Sequence, residues 1–174
     1  MFIIPGFVIS IATFPGVIVH EVAHMLFCKL RRVAVLDVCF IRMGNPAGYV
    51  AHEEVEDFNT AFLISVGPFL VNSLLCMLIC FPAFFPVRVF GLEHPLSYVL
   101  LWLGLSIGMH AFPSNQDAKL LYQQAQKAAS SLNPLAIISF PLVVLIYIAN
   151  ILSFFWADLI YGVAIGLGLP ALIF

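Results

Sequence analysis

The sequence predicts an all-α polytopic membrane protein of about five transmembrane helices, with a small membrane-associated β-hairpin after the first. Three observations predict it. Of 174 residues, 63% are hydrophobic and only 9% charged, and the mean hydropathy is +1.08, far more apolar surface than a water-soluble domain needs. Long apolar runs recur along the chain, divided by short polar or proline-rich breaks. After the first run, a stretch rich in β-branched residues leads into a dense turn signal. The formal net charge of −2 comes without a basic patch, so no nucleic-acid partner is expected. Cys28, Cys39, Cys76 and Cys80 read as small hydrophobes, with no disulfide framework.

The first apolar stretch covers residues 2–30, about 43 Å if wholly helical, more than a ~30 Å hydrocarbon core requires. Pro5-Gly6 and Pro15-Gly16 interrupt it, so it is either one kinked helix or a short leading piece, 2–12, followed by a span over 14–30. The N-terminus has neither a basic n-region nor a small-residue cleavage site and does not read as a removed signal peptide. Lys29, Arg31 and Arg32 close the helix. Val33 to Ile41, the turn cluster Gly44-Asn45-Pro46-Ala47-Gly48 and the return through Tyr49 to Ala51 predict the hairpin. The acids Glu53, Glu54, Glu56 and Asp57 then gather before the next helix, where its dipole favours them.

The second span is Thr60 to Cys80, with Gly67-Pro68 and Asn72 inside it. Its proline frees a carbonyl and its asparagine needs a partner, so helix–helix packing and a role in a site are equally good readings of Asn72. Residues from Phe81 to Pro95 read as a loop. The third span is Leu96 to Phe112, with His110 near its end. Pro113-Ser114-Asn115-Gln116-Asp117 breaks it, and Asp117 to Ser131 predicts a polar, partly amphipathic surface helix. Leu135 to Trp156 and Leu159 to Phe174 complete the five. The last carries Gly162-x-x-x-Gly166, expected to pack within the chain rather than against a second copy.

Chemistry concentrates at His20-Glu21-Val22-Ala23-His24, an H-E-x-x-H motif. On a helix, positions i and i+4 share a face, so both imidazoles can point at one metal ion. Glu21 is placed to reach a water on that ion as general base. Zinc suits two imidazoles and an open position. Ionisable groups at membrane depth cost roughly 2.5–3.5 kcal/mol each on insertion scales, and such a cost marks function. The competing reading is a chance match whose histidines are merely buried and hydrogen-bonded. Cys28 continues the same stripe but stands ~12 Å of helical rise from His20, too far to share the ion.

Lys and Arg set an orientation. The loops after the first and third spans hold Lys29, Arg31, Arg32, Arg42, Lys119 and Lys127, and the loop after the second holds only Arg88. This bias predicts an N-terminus outside and both richer loops in the cytoplasm. His20, His24, Gly67-Pro68, His110 and Asp117 then share the cytoplasmic leaflet. A zinc site needs a third protein ligand. Asp117 is the first choice, although capping of its own helix is a rival role. His110 is the second, and Glu53 or Glu54 a distant third.

With these elements in place, the chain resembles the site-2 protease family of intramembrane zinc metalloproteases. The likeness rests on His20-Glu21 and His24, on the hairpin from about Val33 to Ala51, on Gly67-Pro68 followed by Asn72, and on the break Phe112-Pro113-Ser114-Asn115-Gln116-Asp117-Ala118. It covers about residues 10–125, and the helices over 132–174 lie outside it. The chain departs from the family in having Ala118 after the aspartate instead of glycine, His110 where an asparagine is usual, and Asn72 one residue further from its proline.

The resemblance implies one membrane-embedded metalloprotease-like domain over 1–174. Zn2+ would be held by His20, His24 and Asp117, with Glu21 catalytic and Asn72 or His110 helping at the oxyanion or the substrate. The expected activity is hydrolysis of transmembrane protein substrates within or near the bilayer. The departures motivate an alternative, a catalytically silent zinc-binding membrane adaptor. A metal transporter fits less well, since one compact ligand cluster is visible and no polar pathway crosses the bilayer.

Overall fold

A computed structural model describes residues 6–152 and 156–173 apart from residues 45 and 92. Residues 2–5 of the expected leading piece, Asn45 of the expected turn, residues 153–155 of the expected fourth span and Phe174 lie outside the described residues. The described chain is mostly helical. Its elements are α1 (Gly6–Ala12), α2 (Phe14–Leu30), β1 (Val35–Cys39), β2 (Tyr49–His52), α3 (Phe58–Phe90), α4 (Pro95–Met109), α5 (Asn115–Ser130), α6 (Pro134–Leu152), α7 (Ala157–Val163), a π-helical turn (Ala164–Gly168) and α8 (Leu169–Ile173).

The first apolar stretch divides at Thr13, so the two-piece reading is the one realised. Pro15 lacks an N–H and opens α2 in its first turn, where no intrahelical donor is needed. The carbonyls left over at the break are met by α4. The indole of Trp102 donates to Ala12 O at 3.1 Å and the Ser106 hydroxyl donates to Thr13 O at 2.9 Å. At its other end α2 stops with Arg32 in the left-handed region (φ 58°) and the Val33 N–H returning to Cys28 O.

β1 and β2 form the expected antiparallel hairpin, pairing Asp37 with Ala51, Val38 with Val50 and Cys39 with Tyr49. The register shifts between Val35 and Asp37, and the Tyr49 hydroxyl donates to Asp37 Oδ2 at 2.7 Å. Asp57, last of the acidic cluster, caps α3 by accepting the Thr60 N–H at 2.9 Å. Glu53, Glu54 and Glu56 are exposed.

The spans differ from the five expected. Among the described residues, two helices are long and apolar enough to cross a membrane, Phe58–Phe90 and Pro134–Leu152. The helices at the first and third positions have 17 and 15 residues, because the Thr13 break and the end at His110 shorten them. The last piece is interrupted by its π turn. Where a loop was expected from Phe81, α3 continues through Pro82 and Pro86 for 33 residues in all and ends at Gly91 (φ 63°).

Packing brings α2, α3 and α4 together and sets α5 and α6 against α3. Phe58 and Val66 of α3 meet Leu121 and Ala125 of α5 and Ala136, Val143 and Ile146 of α6 in one buried cluster. Gly162 and Gly166 lie against α4 and α3. A Cβ on Gly162 would stand 3.0 Å from the Met109 nitrogen, and one on Gly166 would meet Leu105, Cys80 and Cys76. The G-x-x-x-G stripe therefore packs within the chain.

Candidate metal centre

α2 carries His20, Glu21 and His24 on its buried side, at 7%, 7% and 6% exposure. Such burial of three ionisable groups demands partners. Those partners come from the break between α4 and α5. Pro113 has no N–H for the carbonyl of Met109 and disfavours a helical residue before it, so α4 stops at Met109. With the helix ended, the His110 carbonyl is free to take an outside donor, and the His20 ring meets it with Nδ1 at 2.7 Å. A carbonyl only accepts, so Nδ1 carries the hydrogen. The Nε2 lone pair of His20 is thereby aimed at the centre.

His24 Nε2 lies 3.2 Å from His20 Nε2 and 3.5 Å from Asp117 Oδ2. The Ile64 carbonyl stands beside His24, and Pro68, four residues on, has no N–H for it. Asp117 arrives from the first turn of α5, where Ser114 is the cap. The Asp117 N–H donates to Ser114 Oγ at 3.2 Å, and the Ser114 hydroxyl donates to Asp117 Oδ2 at 2.7 Å. Asn150 of α6 braces the break by donating to Pro113 O at 2.8 Å. Burial raises the Asp117 carboxyl, but the hydrogen bond and charge of His24 and the Ser114 hydroxyl outweigh it and hold the group well below the usual carboxylate range.

One ligand atom each from His20, His24 and Asp117 lies within 4.8 Å of the others. Ligands about 2.0–2.1 Å from a tetrahedral ion stand roughly 3.3 Å apart, close to two of the separations found here. Two imidazole nitrogens and one carboxylate oxygen, with one imidazole already held in the ligating tautomer, fit a divalent metal. Glu21 follows His20 directly, and the hairpin reaches it. A Cβ on Gly48 would stand 2.8 Å from Glu21 Cγ and 3.0 Å from its Oε1.

The predicted site residues separate into two groups. His20, Glu21, His24 and Asp117 come together. The His110 ring turns away, its Nε2 2.8 Å from Thr13 Oγ1, and this residue serves the centre through its carbonyl. Asn72 is fully buried beneath the same carbonyl, with Nδ2 at 2.8 Å. Glu53 and Glu54 lie outside the cluster. Trp102, Ser106 and His110 escaped sequence reasoning as a set, though their spacing of four places them on one side of α4 and its C-cap. Gly48 and Ser114 escaped it as well. The S-x-x-D pattern at Ser114 was a legible capping signal. Comparison with models of protein families, with curated proteins and with solved structures gave no match.

Proposed function

We propose that this chain is an intramembrane zinc metalloendopeptidase, of the site-2 protease kind, cleaving transmembrane protein substrates within or near the bilayer. The observation that carries the proposal is the convergence of His20, His24 and Asp117, with Glu21 beside them, from elements far apart in sequence. Zinc held by such a set supplies a Lewis acid and a water acidified toward neutral pH.

The chain's own residues account for the rest. The His110 carbonyl orients His20, and the Ser114 hydroxyl orients Asp117. Glu21, anchored on the same helix, accepts a proton from the nucleophile and returns it to the leaving amine. Residues around the hairpin can receive an unwound substrate as an added strand, and Gly48 brings that hairpin's backbone against Glu21. A substrate strand paired there arrives beside the proton acceptor.

Membrane embedding is supported by the inversion of polarity. Leu70, Leu74 and Leu78 form an exposed apolar stripe on α3 at 53%, 54% and 59%, while Asn72 and Ser106 are buried at 0% and 1%. An apolar exterior around a polar interior suits lipid as solvent. The Lys and Arg distribution favours the cytoplasmic leaflet for the centre.

Glu21→Gln tests the mechanism. The purified variant should keep the zinc content of the parent and lose cleavage of single-span membrane substrates by ~10²–10⁴-fold. Undiminished cleavage would refute Glu21 as the proton acceptor.

A further inference from the structure

We infer that Asn72 is a positioning residue of the metal centre, acting through the His110 carbonyl to hold His20 in its ligating tautomer. The inference rests on the metal-centre reading above and assigns the part of α3 in it.

Asn72 is 0% exposed in the middle of α3. Its amide nitrogen donates to Ile107 O at 3.2 Å and to His110 O at 2.8 Å. An amide has two N–H groups, and both are committed to the end of α4. Neither is left for a developing oxyanion. Asn72 Oδ1 is buried and has no hydrogen-bond partner among the described residues. Leaving a buried acceptor unmet is costly, so the side chain is used here for its donors.

What those donors hold is the terminus that Pro113 leaves open. Ile107 O already accepts the His110 N–H at 3.1 Å, and Asn72 joins it there. His110 O has no helical donor, and two groups converge on it, Asn72 Nδ2 at 2.8 Å and His20 Nδ1 at 2.7 Å. One carbonyl offers two lone pairs, so the two bonds coexist. Asn72 therefore fixes the acceptor that fixes His20. The chain of contacts is Asn72 amide, His110 carbonyl, His20 Nδ1–H, His20 Nε2 toward the metal. Partners of this kind behind a ligating histidine are typically worth 10–100-fold in metal affinity.

The test uses the full chain in detergent with Zn2+, Co2+ and two variants. Asn72→Leu keeps the volume and removes both donors, and Asn72→Ser keeps one shorter donor. Nitrogen chemical shifts of His20 in the metal-free protein report which ring nitrogen carries the hydrogen. Competition with a chromophoric chelator gives zinc affinity, and the visible absorption of bound Co2+ reports ligand geometry. Asn72→Leu should mix the His20 tautomers, weaken zinc binding by about 10–100-fold and alter the Co2+ spectrum. Asn72→Ser should fall between it and the parent. If Asn72→Leu does not fold, the same readings on Asn72→Ser decide.

A variant with the parent's tautomer, affinity and spectrum overturns the inference and leaves the metal centre standing. If the parent binds Zn2+ no better than His20→Ala, the metal-centre reading falls. The tautomer in metal-free Asn72→Leu still decides the role of Asn72.

Discussion

Gly16 marks a close approach of α2 to α4, and its missing side chain leaves room for the chain end that carries the His110 carbonyl to His20. A Cβ there would collide with the backbone carbonyl of Ser106 and come within 2.5 Å of His110 Cδ2. Ser106 Oγ, which also serves Thr13, lies 3.3 Å from the Gly16 nitrogen. Because the obstacle is backbone, side-chain repacking cannot relieve it. Gly16→Ala should destabilise the protein by about 1–3 kcal/mol, read as earlier thermal unfolding in detergent, and should weaken zinc binding alongside. Gly48 differs, since part of what its Cβ would meet is the movable Glu21 side chain. Glu21, His20 and His24 were legible as a set because their spacing is local and helical periodicity alone gives them one face. Asp117 was legible as a candidate only through its position after a proline break. Nothing in the sequence tells which of Asp117 and His110 faces the imidazoles, since that depends on how the chain turns between residues 110 and 117.

At the scale of elements, the join between α2 and α3 is electrostatic. Arg31 closes α2 and donates to Thr60 Oγ1 from Nη2 at 2.8 Å and from Nε at 3.2 Å. Asp57 accepts from the Thr60 N–H and from the Thr60 hydroxyl at 2.7 Å. That hydroxyl bond, above all, holds the Asp57 carboxyl below its ordinary value of 3.8. Removing the cap with Asp57→Ala should cost about 1 kcal/mol. A carboxyl lowered on folding contributes stability that is complete above its unfolded pKa and is lost as pH falls through the folded one. The advantage of the native chain over Asp57→Ala should therefore hold from pH 6 to pH 5 and shrink on acidification below about 4. Denaturant titrations at several pH values check it, and an advantage that grew with acid would contradict the assignment. The hairpin and the polar α5 lie where the sequence put them, because β-branched runs, turn clusters and polar periodicity are local signals. The length of α3 was not legible. Pro82 and Pro86 read as breakers on a scale set by helices in water, whereas the lipid setting proposed above would penalise every unpaired backbone group that a loop would expose. The helix continues to Gly91, where a left-handed residue ends it and its N–H returns to Pro86 O.

For the whole molecule, the centre is a cross-link between α2 and α5, joining His24 to Asp117 across 117 − 24 = 93 positions of chain. The unfolded chain presents no preformed site, so binding free energy becomes folding free energy. A ligand at 100 times its dissociation constant adds about 2.7 kcal/mol of stability. Saturating zinc should thus raise the unfolding midpoint of the detergent-solubilised protein, and chelation should return it to the metal-free value. The sign with pH follows from the ligands. Asp117 is already ionised well below neutrality, so acidification acts first on the His24 imidazole that faces it, whose protonation competes with the metal. The zinc-dependent part of the stability should fall as pH drops below neutral, while the metal-free midpoint follows the carboxylates at lower pH. His20→Ala and Asp117→Asn should each abolish most of the zinc increment. The increment must be lost in both variants, because one ligand lies on α2 and the other on α5. Loss in His20→Ala alone would leave the α2 motif as a two-histidine site and remove α5 from the centre.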